Sequence, residues 1–394
     1  MTLRRWPIIL FLLVATLATI RLVTTLAEPG SDDGGYADFR DTIHAPVVAM
    51  LDGVNPYDVS AYRDSDPDIG QAFPVYSPHH LLLTLPFGVL PRTAAGGLWW
   101  ALNVVLLVTV SGFVMSRVKP EWGLAGTAGL AAAALLSNPG RFNFLTGQAT
   151  LPLVLGTYVA FTSPNRWLAG AGTALALIKP QVGIPVLILL AAAGRWRVAL
   201  DGAWMAAAAS APIVLALSIM EGSPGQLISA VRDNLDTSLS GDEATSSFRI
   251  DLLGVIGRET DRQFGTLVTA LVFLALIALG IWLLRRWGRV DAVALAVVSL
   301  TTLLGLFHLP YDELLLIWPI AALILAGGGL GLGGWRWWTA GWMLAAAFNP
   351  LTVRFLRIGR GLDTITSLFL ILALVGLTVG IVSRTGRTTP AASA

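Results

Sequence analysis

The sequence of 394 residues has no cysteine, four histidines and, among 26 basic residues, only two lysines, Lys119 and Lys179. The lack of cysteine excludes disulfides, thiolate metal sites and thiol redox chemistry. Charge is scarce as well. Asp, Glu, Lys and Arg make up 13% of the chain, against about a quarter in an ordinary soluble domain. No internal repeat is visible, which counts against the many transporters built from inverted repeats. The net charge of +2 says little; the placement of the charges says more.

Apolar residues, at 55% of the chain, are abundant. They recur in long runs bounded by Arg, Pro or Gly, as transmembrane helices do. Twelve candidate spans are expected, at roughly 7–27, 95–116, 122–137, 149–162, 167–178, 181–193, 198–219, 265–284, 290–307, 313–330, 336–352 and 362–383. The expectation is an all-α integral membrane protein, a polytopic helical bundle forming one domain over 1–394. It divides into a first helix (7–27), a first outer loop (28–94), a bundle (95–219), a second outer loop (220–264) and a C-terminal bundle (265–394). The first apolar stretch exceeds a signal-peptide core, so it reads as an uncleaved helix behind Arg4 and Arg5. Pro180 and Pro185 predict a broken helix or hairpin between the short runs 167–178 and 181–193.

With the N-terminus in the cytoplasm, every cytoplasmic segment carries a basic residue, as the positive-inside rule asks. Of the 24 acids, only Glu121, Asp201 and Asp291 then lie inside. The remainder, including those of both long loops, lie outside. Both termini are expected in the cytoplasm of a plasma or inner membrane, with any chemistry on the opposite face. The apolar segment His79–Leu90, bounded by Pro78 and Pro91, reads as re-entrant or interfacial, because a true crossing would reverse every later segment. Phe248–Arg258 mixes charge with Ile, Leu and Val at helical spacing and reads as an interfacial amphipathic helix. Trp99, Trp100, Trp335, Trp337 and Trp338 fit an interfacial aromatic belt.

The first loop reads YADFRDTIHAPVVAMLDGVNPYD and leads into VYSPHHLLLTLPFGVLP. Later come Gly147-Gln148 in NFLTGQATLPLVLG and Lys179-Pro180-Gln181. In order and spacing these elements resemble glycosyltransferase family 87, polyprenol-phosphate-dependent enzymes of the GT-C fold. The likeness covers most of the chain, although no one motif is specific. It implies a GT-C-type bundle that moves a sugar, mannose first and arabinofuranose as the alternative, from a polyprenyl-phosphate donor to a glycolipid or polysaccharide acceptor. Asp38 matches the family's catalytic Asp, with Asp41 one helical turn later as the runner-up. Solvated loop acids are the plain alternative for both. No cofactor, resident metal or nucleic-acid partner is implied; the partners are the donor lipid, the acceptor and membrane lipids.

Such chemistry needs a base for the acceptor hydroxyl and donors for the departing phosphate. Lys179, between two apolar runs, would cost about 2.5–3.5 kcal/mol at mid-membrane, so it requires a partner, a phosphate or a snorkelling path to the interface. His308 in LFHLPYDELLL, with Tyr311, Asp312 and Glu313 beside it, is a second phosphate candidate, set against an ordinary loop histidine. Gln148, Tyr57 and His80 are expected near the same substrate. Arg354, Arg357 and Arg360 recur every third residue in the last outer loop and suit anionic headgroups, the donor phosphate or pairing with Asp363. A lipid-linked-sugar transporter or flippase and a catalytically inactive relative with a scaffolding role are the competing readings. The loop around GDEATSSF matches no known motif, which leaves the acceptor least defined.

Overall fold

The computed structural model describes residues 5–27, 36–66, 68–240, 249–326, 330–349 and 362–385. Among these residues every regular element is helical. In chain order they are α1 (Trp6–Ala27), α2 (Ala37–Phe39), α3 (Ala45–Leu51), α4 (Val59–Ser65), α5 (His79–Gly88), α6 (Arg92–Val118), α7 (Gly123–Leu136), α8 (Asn138–Thr146), α9 (Thr150–Thr162) and α10 (Arg166–Ala176). There follow α11 (Pro180–Leu190), α12 (Trp196–Met220), α13 (Pro224–Ser240), α14 (Leu252–Thr260), α15 (Thr266–Trp287), α16 (Ala292–Gly305), α17 (Ile317–Leu325), α18 (Trp335–Ala347) and α19 (Leu362–Thr385). A π-helical turn, Arg40–His44, joins α2 to α3.

Each predicted apolar run contains a helix, but the expected twelve crossings are not all of spanning length. Among the described residues, four stretches are long and apolar enough to cross a bilayer by length and composition: Arg92–Val118, Pro180–Met220, Thr266–Trp287 and Thr364–Arg384. The second is broken by Gly194, whose φ of 84° no helix interior adopts. Shorter helices such as α9, with 13 residues, rise only about 20 Å at 1.5 Å per residue, less than a hydrocarbon core of about 30 Å. α5, with ten residues, is too short to span by the same measure.

The lipid-facing surfaces are plain. Leu10, Leu13 and Leu17 of α1 and Leu267, Leu271 and Leu274 of α15 are exposed at helical spacing, which in water would be an aggregation-prone patch. α16, by contrast, is buried along its whole length and packs against α11, α15, α17 and α19. Asp291 caps it by accepting from the amides of Val293 and Ala294.

Small residues let the helices approach closely, as in many membrane bundles. A Cβ added at Gly202 of α12 would lie 2.2 Å from the Cβ of Thr173 in α10, and one at Gly156 of α9 would lie 2.5 Å from the Gly172 carbonyl oxygen.

The first loop is a packed cap. Tyr57, Tyr62, Phe73 and Tyr76 form an aromatic core with Val47 and Leu81, docked on Ile213 and Leu217 of α12 and Leu227 of α13. Asn234 of α13 donates to the carbonyls of Tyr57 and Phe73. In the second loop α14 begins at Leu252, because Asp251 caps it through the Gly254 amide. The expected helix from 248 is thus shorter, and Phe248 lies outside the described residues. Overpacking a close helix contact costs about 1–3 kcal/mol. Gly202→Val is therefore expected to lower the thermal transition of detergent-solubilised protein, read by tryptophan fluorescence. Gly97→Ala, with nothing within 4 Å of the new Cβ, is expected to leave it unchanged or raise it.

Candidate functional site

Three chain breaks meet at one place. The first lies between α8 and α9, where Gly147 turns with φ 79°. A Cβ there would stand 2.5 Å from Phe39 Cβ and 3.0 Å from the Tyr36 ring. Glycine thus serves twice, for the left-handed turn and for the seating of the first loop. Tyr36, itself at φ 63°, is held there by its amide bond to the Leu145 carbonyl. Trp99 Nε1 donates to the Gly147 carbonyl at 2.7 Å. Gln148 then points inward.

The second break is Ile178–Lys179. Lys179 is extended and Pro180 opens α11, the arrangement that suits a residue before proline and a proline at N1. Ser77 fastens the first loop to this break, donating from its hydroxyl to the Leu177 carbonyl and from its amide to the Ile178 carbonyl. The third break, between α16 and α17, carries His308 and the 3-10 turn Pro310–Leu316. The span expected to begin at 313 therefore becomes α-helical only at Ile317.

Lys179 Nζ lies 3.2 Å from Asp312 Oδ1, and His308 Nδ1 lies 3.0 Å from Asp312 Oδ2. The three side chains are 1%, 2% and 0% exposed, so Lys179 does not snorkel. Thr150 donates to Asp312 Oδ1, and the Lys179 ammonium sits 4.4 Å from the centre of the Tyr311 ring. Burial alone would raise the Asp312 pKa. The charge of Lys179 and the contact with His308 outweigh burial and hold it at about 2. With Nδ1–H donated to Asp312, the other ring nitrogen of His308, Nε2, is buried without a hydrogen-bond partner.

Gln148 spans the top of this cluster, donating to Tyr311 Oη at 3.1 Å and accepting from Tyr76 Oη at 3.2 Å. Tyr76 is the link to the first loop. Burial pushes its hydroxyl well above the usual range, and the charges of Asp38 and Asp312 push it further. Both carboxylates thus lie near enough to Tyr76 for their charge to act on it.

Asp38 is partly exposed and accepts one hydrogen bond from Gln71 Nε2 at 2.9 Å. It makes no direct bond to Lys179 or His308. Asp41 is buried and engaged by the Arg40 guanidinium and the Gly70 amide. Tyr57 donates its hydroxyl to the Tyr76 carbonyl at 2.6 Å, so it supports Tyr76 from beneath. His80 Nε2 bonds the Thr42 carbonyl, its ring 4.8 Å from that of Tyr76, and burial lowers its pKa to about 4. It is therefore neutral at physiological pH. Arg354, Arg357 and Arg360 lie outside the described residues. Among the described residues no three His, Asp or Glu side chains converge as metal ligands would.

The family profile of glycosyltransferase family 87 matches residues 74–310. The chain belongs to this family. It is a membrane glycosyltransferase. No curated protein and no solved structure matches the chain. The matched range takes in the glycosyltransferase's Tyr76, Gln148, Lys179 and His308, and leaves Asp38, Asp41 and Tyr57 before it. Asp312, the residue on which the cluster converges, falls just beyond it. Sequence reading named Asp312 as a neighbour of His308 and missed its pairing with Lys179. The available signal was that Lys179, at membrane depth, needed an acid from another turn.

Breaking a buried ion pair by removing one partner costs about 3–5 kcal/mol, whereas replacing both with apolar groups is often neutral. Lys179→Met is therefore expected to destabilise the glycosyltransferase sharply, and Lys179→Met with Asp312→Leu to recover much of the loss, as read by thermal unfolding in detergent. Because its pKa is depressed, Asp312 stabilises the fold at pH values above the ordinary Asp pKa of about 3.9. That contribution fades as pH falls from there through about 2, so Asp312 adds no pH dependence between 5 and 8.

Proposed function

We propose that this glycosyltransferase takes its sugar from a polyprenyl-phosphate donor on the extracytoplasmic face and passes it, with inversion, to a lipid- or glycan-linked acceptor. In this reading Asp38 accepts the proton of the acceptor hydroxyl. The acceptor oxygen bonds to the anomeric carbon as the carbon–oxygen bond to phosphate breaks, and the electron pair leaves with the polyprenyl phosphate. One backside displacement inverts the anomeric centre.

The supporting observation is the division of labour among the carboxylates. Asp41 is tied to Arg40, and Asp312 is tied to Lys179 and His308. Asp38, partly exposed beside the same aromatic wall, holds one neutral donor and keeps lone pairs for a proton. Lys179 and His308, converged on one carboxylate, are the cationic groups a donor phosphate would meet. Because Asp312 holds Nδ1–H, the other ring nitrogen of His308, Nε2, is the one that would meet that phosphate. Gln148 and Tyr76 would then orient the substrate between base and phosphate site.

The outward placement rests on the sidedness of the loops. A lipid-borne donor follows from it, since nucleotide sugars are not supplied there. The family resemblance favours mannose, with arabinofuranose second. Transport or flipping of the lipid-linked sugar is the non-enzymatic alternative. Membranes containing the protein, given radiolabelled polyprenyl-phosphate mannose, are expected to consume the donor. Asp38→Asn is expected to lower turnover by about 10²-fold or more, the range of general-base contributions. Transfer at the wild-type rate in Asp38→Asn would remove Asp38 as the base. Failure to consume any polyprenyl-linked sugar would remove the donor assignment.

A further inference from the structure

A second polar site lies apart from the Lys179 cluster, where the α9–α10 and α11–α12 connections run side by side. A cleft of about 410 Å³ opens there, lined by Pro164, Arg166, Gly194, Arg195, Trp196 and Arg197 among others. Its geometry is set locally. Asn165 caps α10 by accepting from the Trp167 and Leu168 amides, and Gly194, at φ 84°, reverses the chain without a side chain to fill the space. Arg195 crosses the cleft to the Ser163 carbonyl and so joins the two connections.

The charge here is unbalanced. Arg166 is neutralised by a two-pronged pair with Asp201. Among the described residues no carboxylate lies within ion-pair distance of Arg195 or Arg197, and the Arg197 guanidinium sits 5.2 Å from the centre of the Trp196 ring. Beside the arginines, Trp167, Leu168, Trp196, Leu200 and Trp204 are all more than half exposed. Exposed tryptophan beside arginine at helix ends marks the headgroup depth of a bilayer. Two guanidiniums without a carboxylate partner over a cleft at that depth match a phosphodiester, which Arg binds through paired N–H donors.

We propose that this cleft binds the phosphate of an anionic membrane phospholipid, on the face expected to be cytoplasmic, opposite the transfer site. Arg195 and Arg197 hold the phosphate, Trp196 and Trp167 border the glycerol region, and the acyl chains run along Leu200 and Trp204. This assignment is independent of the donor, the sugar and the catalytic base.

The test uses the full-length protein in neutral detergent, titrated with short-chain phosphatidylglycerol, phosphatidylcholine or inorganic phosphate and followed by native mass spectrometry. A phosphatidylglycerol adduct is expected at concentrations about tenfold below those needed for phosphatidylcholine, the scale of one lost charge-assisted contact. Arg197→Gln, at an exposed position, is expected to abolish that preference, while Arg286→Gln in α15 keeps it. Arg195→Gln is expected to act likewise, with folding checked by an unchanged tryptophan-fluorescence melt. Equal affinity for the two lipids, or an unaltered preference in Arg197→Gln, would overturn the site. Displacement of phosphatidylglycerol by an equal concentration of inorganic phosphate would overturn its assignment to a lipid.

Discussion

The ion pair between Lys179 and Asp312 constrains the middle of this protein more than any other contact. Two opposite charges at 3.2 Å, almost without solvent, are stable only together, because either alone would stand uncompensated in a low-dielectric interior. Their union pins the break before α11 to the turn before α17, while Thr150 adds the start of α9. His308 shares the same carboxylate. The aromatic rings of Tyr76 and Tyr311 cover the ammonium and complete the seal. Whatever the site does to a substrate, it does through a cluster already folded around its own charge.

The first loop depends on that arrangement. It reaches the cluster through Tyr76 and Gln148, and it is fastened by Ser77 to the Lys179 break and by Tyr36 to the Gly147 turn. The motifs that carry the family likeness are therefore largely contact points. Asn55 accepts from the Tyr57 amide and Asp58 caps α4, so the N-P-Y-D turn shapes the cap. Gly147 clears room for Tyr36 and Phe39. Lys179 and Pro180 end one helix and begin the next. Wide π turns recur at functional sites, and Arg40–His44 sets Asp41 inward beneath a more exposed Asp38.

Helix positions were legible because apolar runs and their Pro, Gly and Arg boundaries are local. α1, α6, α12 and α15 fall within a few residues of the runs that predicted them. Spanning length was less legible, since hydropathy does not distinguish a full crossing from a short helix ended by a turn such as that at Gly194. The need of Lys179 for a partner could also be read from sequence alone, as a consequence of charge in an apolar setting.

An apolar helical chain, a family likeness and a lysine that could not stay unpaired are all legible in the order of residues. The identity of that lysine's partner is not. Asp312 is 133 residues away, and the choice among Asp312, Glu313 and a lipid phosphate depends on how two distant turns pack. In the same way the tertiary structure separated Asp41, paired with its neighbour Arg40, from the freer Asp38 one turn earlier. Periodicity reports the face a residue occupies; the pairing of buried charges depends on distances that exist only once the helices have packed.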